Sequence, residues 1–466
     1  MTGQSEIQNE ILRRRDMRDA FTFTIDPADA KDFDDAISFA DNGDGTYQIG
    51  VHIADVSFYV KPGTKTDEDA YKRGTSVYLV DRVIPMLPEE LCNDKCSLRP
   101  GEEKLCMSVI FTMDNEAKVL KFKICRTVIR SDVRLDYDEA QAIIERPNQT
   151  GEILARQNRN GDVSNLKEDL MRSIITLNSL AAKMRAERIA NGALTIEQDE
   201  MRFRLDEHGH PVEIYFEQPN EAHHLIEEFM LLANRTVAKS AGSGRPFVYR
   251  VHDLPDSEKL DEVKKFKRKM GSRISQQTID SLTIRAQAKA VYSTYNIGHY
   301  GLAFTHYTHF TSPIRRYPDL MVHRLVEKYI LTGKKESLSR EEMEIMCEHC
   351  SGCEQEAAQA ERESVKLFQA IWINDHIGEI MSGHISGVTE FGLFVQLDES
   401  RCEGLIHISS IGEQGEYWQY DEKNYRLVAE NGKSKVKSYT LGDKVTVKVV
   451  RADINRGQID FEFADK

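Results

Sequence analysis

Apolar and polar residues alternate in the first part of the chain. Ala36-Ile37-Ser38-Phe39 and Tyr47-Gln48-Ile49-Gly50-Val51-His52-Ile53 flank Asn42-Gly43-Asp44-Gly45. Two extended runs around such a turn predict a hairpin. Residues 104–113 and 119–129 predict a second strand pair, joined at Asp114-Asn115. From about residue 136 the pattern turns helical. Residues 166–190 carry apolar groups at helical spacing and stop at Asn191-Gly192, a helix ending. Residues 221–241, 257–295, 318–332 and 340–370 also predict helices, the last two separated by Thr332-Gly333-Lys334-Lys335. After about residue 379 a period of two returns, with glycines at 383, 387, 392, 404 and 442, the pattern of a small β-barrel. The chain therefore reads as α+β, with a boundary near 372–378. Residues 1–19, with Arg13-Arg14-Arg15 between Glu10 and Asp16, predict a solvated helix or linker.

Composition narrows the function. Of 466 residues, 40% are hydrophobic and 30% charged, which suffices for a folded core. Lys plus Arg is 62 and Asp plus Glu is 76, a net charge of −14. A nucleic acid must then meet a local basic surface, since the chain as a whole repels it. An acidic total remains compatible with an enzyme whose carboxylates hold metal. No apolar run reaches the roughly 18 residues of a membrane span. Met1-Thr2-Gly3-Gln4-Ser5-Glu6 shows no secretory pattern, so the eight cysteines are expected as reduced thiols in a cytoplasm.

The densest chemistry is Asp26-Pro27-Ala28-Asp29-Ala30-Lys31-Asp32-Phe33-Asp34-Asp35. In a regular strand Asp34 and Asp35 would point to opposite faces, so convergence requires a loop, which Pro27 supports. Clustered carboxylates raise one another's pKa unless a cation neutralises them. Hard ions such as Mg²⁺ take carboxylate oxygens and substrate phosphates, which suits phosphoryl transfer. The alternative is a solvated acidic turn. An EF-hand fits poorly, because from Asp32 the sixth and twelfth positions are Ile37 and Gly43. A second constellation is Tyr307-Thr308-His309-Phe310-Thr311-Ser312-Pro313-Ile314-Arg315-Arg316-Tyr317-Pro318-Asp319 with His323. Paired arginines beside aromatics suit a phosphate backbone. Thr311-Ser312-Pro313 reads as a helix start whose free N–H groups could face an anion.

The runs "TIDPADAKDFDDAISF" at 24–39 and "HYGLAFTHYTHFTSPIRRYPDLMVH" at 299–323 resemble the RNB catalytic domain of the RNase II and RNase R exoribonucleases. "VHIADVSFYV" at 51–60, "GTSVYLVDRVIPMLPEELC" at 74–92 and "RVHDLPD" at 250–256 match in the same order, so the resemblance spans about 20–372. The tail, with "GHISGVTEFGLFVQL" at 383–397 and "EGLIHISSI" at 403–411, resembles an S1 RNA-binding domain, a five-stranded barrel of the OB type over 379–466. The segment 412–440 lengthens one barrel loop, as in RNase R more than RNase II.

The resemblance implies a mixed sheet with surrounding helices and a processive, hydrolytic 3′→5′ exoribonuclease that uses Mg²⁺ and releases nucleoside 5′-monophosphates. It places the metal site on Asp26, Asp32, Asp34 and Asp35, with Asp34 indispensable for chemistry. Arg315 would hold the scissile phosphate with Arg316 beside it on the RNA. Tyr78 would clamp the terminal nucleotides, and Glu227 would hydrogen-bond the buried strand. Ile196 stands where the family often has Phe, which removes aromatic stacking worth roughly 1–3 kcal/mol per base. In the tail, Phe391, Phe394 and His407 would form a stacking face. Phe391 and Phe394 are three apart, so a kink at Gly392 is needed to expose both. Between Lys423 and Arg456 nine Lys/Arg oppose three Asp/Glu, a local basic surface, with Arg456 substituting for the basic residue usual at Gln458. The RNA partner is expected as a single-stranded 3′ end, and the protein as a monomer without a membrane. Family members of this kind carry cold-shock-like barrels ahead of the catalytic domain, and none is expected here. The alternative function is an inactive RNA-binding protein of the same fold. Cys347, Cys350 and Cys353 around His349 lack the further Cys-Pro of an iron–sulfur site and read as helix packing. Lys264-Lys265-Phe266-Lys267-Arg268-Lys269 reads as a solvated helix face.

Overall fold

The hairpin and strand-pair signals fold into one sheet. The computed structural model describes residues 4–156, 164–195, 199–271, 276–334, 338–412, 416–430 and 437–464. Helix α1 (Gln4–Ile11) leads into β1 (Arg15–Asp16), β2 (Thr22–Asp26), β3 (Asp35–Asp41) and β4 (Thr46–Ala54). Two short helices, α2 (Val56–Tyr59) and α3 (Lys65–Arg73), precede the two-residue strands β5 (Val77–Tyr78) and β6 (Val83–Ile84). The long pair β7 (Glu103–Asp114) and β8 (Val119–Arg130) and the short β9 (Val133–Asp136) complete a seven-stranded sheet of order β1-β8-β7-β4-β3-β2-β9. It is mixed, because β1 runs parallel to β8 and β2 parallel to β9.

The charged start corrects the expectation of a solvated linker up to residue 19. Arg14 is buried, donates to Asp55 Oδ2 at 2.6 Å and to the Cys106 carbonyl at 3.0 Å, and Met17 enters the core. A buried arginine needs such partners, so residues 14–17 are tied to the sheet.

The helical region holds α4 (Tyr137–Glu145), α5 (Thr150–Arg156) and α6 (Ser164–Ala190). A hairpin of β10 (Glu200–Leu205) and β11 (Pro211–Glu217), absent from the sequence reading, separates these from α7 (Glu221–Ala241). The helix expected over 257–295 is shorter. After β12 (Tyr249–Val251) come α8 (Ser257–Met270) and α9 (Gln276–Arg285), then the strand β13 (Val291–Ser293), which pairs with β12. Val291 and Tyr292 are β-formers, and pairing with Arg250 and Val251 overrides a weak helical pattern. Helices α10 (Tyr317–Val326) and α11 (Arg340–Asn374) finish the region.

The tail begins with β14 (Ile380–Thr389), β15 (Gly392–Leu397) and β16 (Glu403–His407). The lengthened loop forms a three-stranded meander of β17 (Tyr417–Asp421), β18 (Arg426–Glu430) and β19 (Ser438–Thr440). Strands β20 (Lys444–Asp453) and β21 (Gln458–Phe463) close a barrel of order β14-β15-β16-β21-β20. One apolar cluster lies under the sheet and its helices. A second joins barrel residues Ile385, Val447 and Phe461 to Phe266 of α8, Ile279 and Leu282 of α9, and Ala370 and Ile373 of α11. Phe266 lies within the lysine-rich run and meets the Tyr425 ring edge-on at 5.0 Å, while Lys264, Lys265, Lys267 and Arg268 face water. Cys347 and Cys350 are buried and Cys353 is partly so, on α11, and the described residues show no metal set among them.

Candidate active site and nucleic-acid interface

Sheet register opens the space for the acidic loop. Strands β2 and β3 pair only at Thr22–Ser38 and Phe23–Ile37, then separate. Asp26 is the last residue of β2 and Asp35 the first of β3, with Asp32 and Asp34 in the loop between them. The loop is fixed at its backbone. Phe33 N–H donates to Ser97 Oγ at 3.0 Å, Ser97 Oγ donates to the Lys31 carbonyl at 2.8 Å, and Ala54 N–H donates to the Asp34 carbonyl at 2.9 Å. Arg134 Nη2 holds the Pro27 and Ala28 carbonyls at 2.9 and 2.8 Å. The loop character anticipated from Pro27 is thus what lets neighbouring carboxylates share one recess.

Burial dominates the electrostatics of that recess. It pushes the Asp26 carboxyl up to about 7, helped by repulsion from Asp34 and Asp32. Asp35 is pushed up to about 8 by burial and by Asp26. Asp32 and Asp34 are raised as well, again chiefly by burial, with Arg315 pulling the other way. Asp26 Oδ2 is buried without a hydrogen-bond partner among the described residues. An orphaned carboxylate oxygen among mutually repelling carboxylates is the donor set a hard divalent cation takes. The chemistry of these carboxyls therefore suits such an ion. As the side chains stand, no group of three or more His, Cys, Asp or Glu among the described residues is arranged to hold a metal ion.

The second constellation folds against the first. Ile314 N–H donates to Asp34 Oδ1 at 2.9 Å, and Arg315 Nε lies 3.7 Å from Asp34 Oδ2. The Arg315 carbonyl accepts from Ser76 N–H at 2.9 Å and Thr75 Oγ1 at 3.1 Å, which brings the segment before Tyr78 alongside. Tyr78 is partly exposed, and its phenol is raised by burial and feels Arg315, Asp32 and Asp34. Asp26, Asp32, Asp34, Asp35, Arg315 and Tyr78 are thus brought together from segments almost 300 positions apart.

Two expectations change here. The helix starts at Tyr317, not at Thr311-Ser312-Pro313, and the N–H groups of Ser312 and Ile314 are taken by Asp319 and Asp34. Those amides are not free for an anion. Arg316 does not extend toward a ligand beside Arg315. Its Nη2 donates to Asp319 Oδ1 at 2.9 Å, and its charge sits near Tyr292 and Tyr307. A partly buried guanidinium is stable only with such internal compensation.

Glu227 lies at a cavity of about 460 Å³ lined also by Tyr137, Arg185, Arg188, Ile189 and His223. Arg188 donates to Glu227 at 3.2 Å and to the buried Glu228 at 2.6 Å. Tyr137 and His223 stack with ring centroids 3.8 Å apart and planes 9° apart. The Tyr137 phenol is raised by burial and by Asp35 and Asp26, which places it beside the acidic recess. Sequence reading missed Tyr137, Arg188 and His223. The only local signals were the caps Asp136–Glu139 and Asn220–His223, which mark helix starts. Ile196 lies outside the described residues.

In the barrel, Phe391 is 60% exposed and sits in the turn before β15, so strand parity does not govern it. Gly392 has φ +148°, and a Cβ there would come within 2.1 Å of the Ile406 carbonyl. The kink at this glycine is therefore real. Gly392 pairs with His407 and Phe394 with Leu405, so Phe394 lies diagonally across from His407 on the outer face. Leu393 and Val395 point into the core. Arg456 is exposed in the turn between β20 and β21.

With this geometry in place, comparison with known proteins is decisive. The RNB domain family matches residues 14–332, and the S1 RNA binding domain family matches 374–463. The chain belongs to the RNB family. The chain is 39% identical to Ribonuclease R of Thermotoga maritima over 98% of its own length and 66% of that protein. Ribonuclease R of Escherichia coli is 34% identical over 96% of this chain and 57% of its own length. The chain thus spans about two thirds or less of these RNB relatives. The structure of Mycoplasma genitalium RNase R in complex with ribose methylated single-stranded RNA superposes with a TM-score of 0.87 at 26% identity, over 99% of this chain and 73% of that one. Yeast Ssd1, a pseudonuclease, shares the RNB fold at a TM-score of 0.71 and 21% identity, over 90% of this chain and 53% of that one. No helix among the described residues is long and apolar enough to cross a membrane.

Proposed function

We propose that this chain is a hydrolytic, processive 3′→5′ exoribonuclease of the RNase R type, degrading single-stranded RNA to nucleoside 5′-monophosphates. The observation that carries the reading is the junction of Asp34 with Ile314 N–H and Arg315 inside the acidic recess. A fold shared with a pseudonuclease does not decide activity, whereas the contact of Asp34 with Ile314 and Arg315, beside the other carboxyls of the loop, argues for it.

Each residue then has a task. The Arg315 fork binds the nonbridging oxygens of the terminal phosphodiester. Asp34 orients the attacking water and draws off its proton. The water oxygen bonds to phosphorus, the P–O3′ bond breaks, and the proton ends on the O3′ of the shortened strand. Asp26, Asp32 and Asp35 would hold a divalent cation, magnesium in this reading, and when bound it would supply positive charge near the phosphate and lower the pKa of water. Tyr78 clamps the last nucleotides. Glu227, with Arg188 beside it, meets the strand end in the cavity. Phe391, Phe394 and His407 stack bases of the incoming strand, which is sequence-tolerant binding. Eight free cysteines, six of them buried, suit a reducing cytoplasm, and we read the protein as a cytoplasmic monomer.

Digestion of 5′-labelled RNA with Mg²⁺, without phosphate and with an EDTA control, tests this. Stepwise shortening from the 3′ end with nucleoside monophosphates released is expected. Binding without cleavage would indicate an inactive RNA-binding protein, and phosphate-dependent diphosphate products a phosphorolytic enzyme.

A further inference from the structure

Arg315 is a long side chain, 41% exposed, yet it must hold one direction for its fork to meet a phosphate. Asp34 gives it only a 3.7 Å ionic approach at Nε. Among the described residues its one close side-chain hydrogen bond runs from Nη2 to Ser312 Oγ at 3.1 Å. Ser312 is itself buried and fixed. Its N–H donates to Asp319 Oδ1 at 2.8 Å, and its carbonyl accepts from Arg316 N–H at 3.0 Å. Asp319 is fully buried on the first turn of α10, and the same Oδ1 accepts Arg316 Nη2. Two residues earlier, Phe310 is pinned at both backbone groups, its N–H by Asn234 Oδ1 at 2.9 Å and its carbonyl by His323 Nε2 at 2.8 Å. The segment 310–316 is thus anchored from α7 and α10 and leaves one hydroxyl aimed at the guanidinium.

We propose that Ser312, clamped by Asp319, is a positioning residue that aims Arg315 at the substrate phosphate. The inference rests on the exoribonuclease reading, in which Arg315 touches the phosphate and Ser312 and Asp319 do not. A serine that only filled space would cost the same with or without Arg315. One that acts through Arg315 would cost nothing once Arg315 is gone.

The test is a double-mutant cycle under single-turnover conditions with Mg²⁺ and a 5′-labelled single strand. Ser312→Ala keeps the N–H bond to Asp319 and deletes only the hydroxyl. It should lower the cleavage rate about tenfold, with RNA affinity within about twofold of wild type, where tenfold is ~1.4 kcal/mol, the scale of one charge-assisted hydrogen bond. In an Arg315→Ala background the same change should alter the rate less than twofold. Ser312→Thr and Ser312→Val are nearly equal in size and differ in the hydroxyl. Thr should retain most of the rate and Val should lose as much as Ala, which keeps the proposal testable even if Ala perturbs folding. Equal losses in both backgrounds, or Thr and Val behaving alike, would overturn it. A wild-type chain that releases no mononucleotide overturns the exoribonuclease reading itself. An active wild type with additive losses overturns this inference alone.

Discussion

The acidic recess and the outer face of the barrel bind the same polymer in this reading by opposite physics. The recess is buried, charged and held by backbone hydrogen bonds from distant segments. Asp34 is 5% exposed and touches both Ile314 and Arg315. The barrel face is open, aromatic and built from neighbouring strands, with Phe391 60% exposed. At Asp26 and Asp34, the buried floor of the recess, water is largely excluded, so each charge there is strong and each loss is felt in full. On the barrel, contacts compete with water and contribute separate, modest increments. One region therefore decides whether bonds break, and the other how long the strand stays.

The largest effect should follow from breaking the recess by one atom. Asp34→Asn retains shape but removes the charge, and turnover should fall about a thousandfold or more, ~4 kcal/mol. RNA affinity should stay within about twofold, because the stacking and basic surfaces persist. Retention of more than about a tenth of the wild-type single-turnover rate would exclude a charge-dependent role.

The barrel is best tested by its surface, since residues 379–466 also cover Phe266, Ile279, Leu282 and Ile373. Deleting them would expose an apolar cluster and mix stability with binding. The triple change Phe391→Ala, Phe394→Ala and His407→Ala leaves that packing intact. Each stack contributes roughly 1–3 kcal/mol, so losing three should cost about 3 kcal/mol or more, and affinity for a long strand should fall on the order of a hundredfold or more. Cleavage of short oligonucleotides should change little, and the salt dependence should persist. Unchanged affinity across a salt titration would remove this face from RNA binding.

A third experiment contrasts the buried sheet with the exposed barrel through stability. His52 is fully buried, with Nδ1 and Nε2 each 2.8 Å from a serine hydroxyl, Ser108 and Ser38. Burial pushes its pKa down to about 3 from 6.5. The unfolded chain then binds the proton first as pH falls, so this stability is complete above about 6.5 and lost progressively down to about 3. Between pH 6.5 and 5 the loss is roughly 1–2 kcal/mol. Denaturant midpoints at the two pH values should differ more for wild type than for His52→Gln. Equal slopes would show that His52 does not carry this dependence.

The smallest rate effect belongs to the rim of the recess. Tyr78→Ala should lengthen or shorten the limit product while changing the rate on long RNA by no more than about threefold, ~0.7 kcal/mol. Short products have few other contacts, so a clamp matters most to them. An unchanged limit product on a high-resolution gel would take Tyr78 out of that role.

Local pattern by itself determined much of this molecule. Alternation around Asn42–Gly45, helical spacing up to Asn191-Gly192 and the return of period two after 379 correspond to β3–β4, α6 and the barrel. These are short-range signals that need no distant partner. The motif residues were legible because carboxylates and arginines at such density are hard to explain otherwise. The tertiary structure decided the rest, because the deciding contacts cross long sequence separations. Parallel pairing of β2 with β9 sets Asp26 opposite Asp136 and so brings Tyr137 to the recess, which no local pattern around Tyr137 reveals. Pairing with β12 turned residues 291–293 from expected helix to strand. The buried Asp319 turned Arg316 inward and left Arg315 outward, although the two adjacent arginines read alike in sequence. Side-chain direction and desolvation belong to the packed chain, since both depend on which groups share a dry interior.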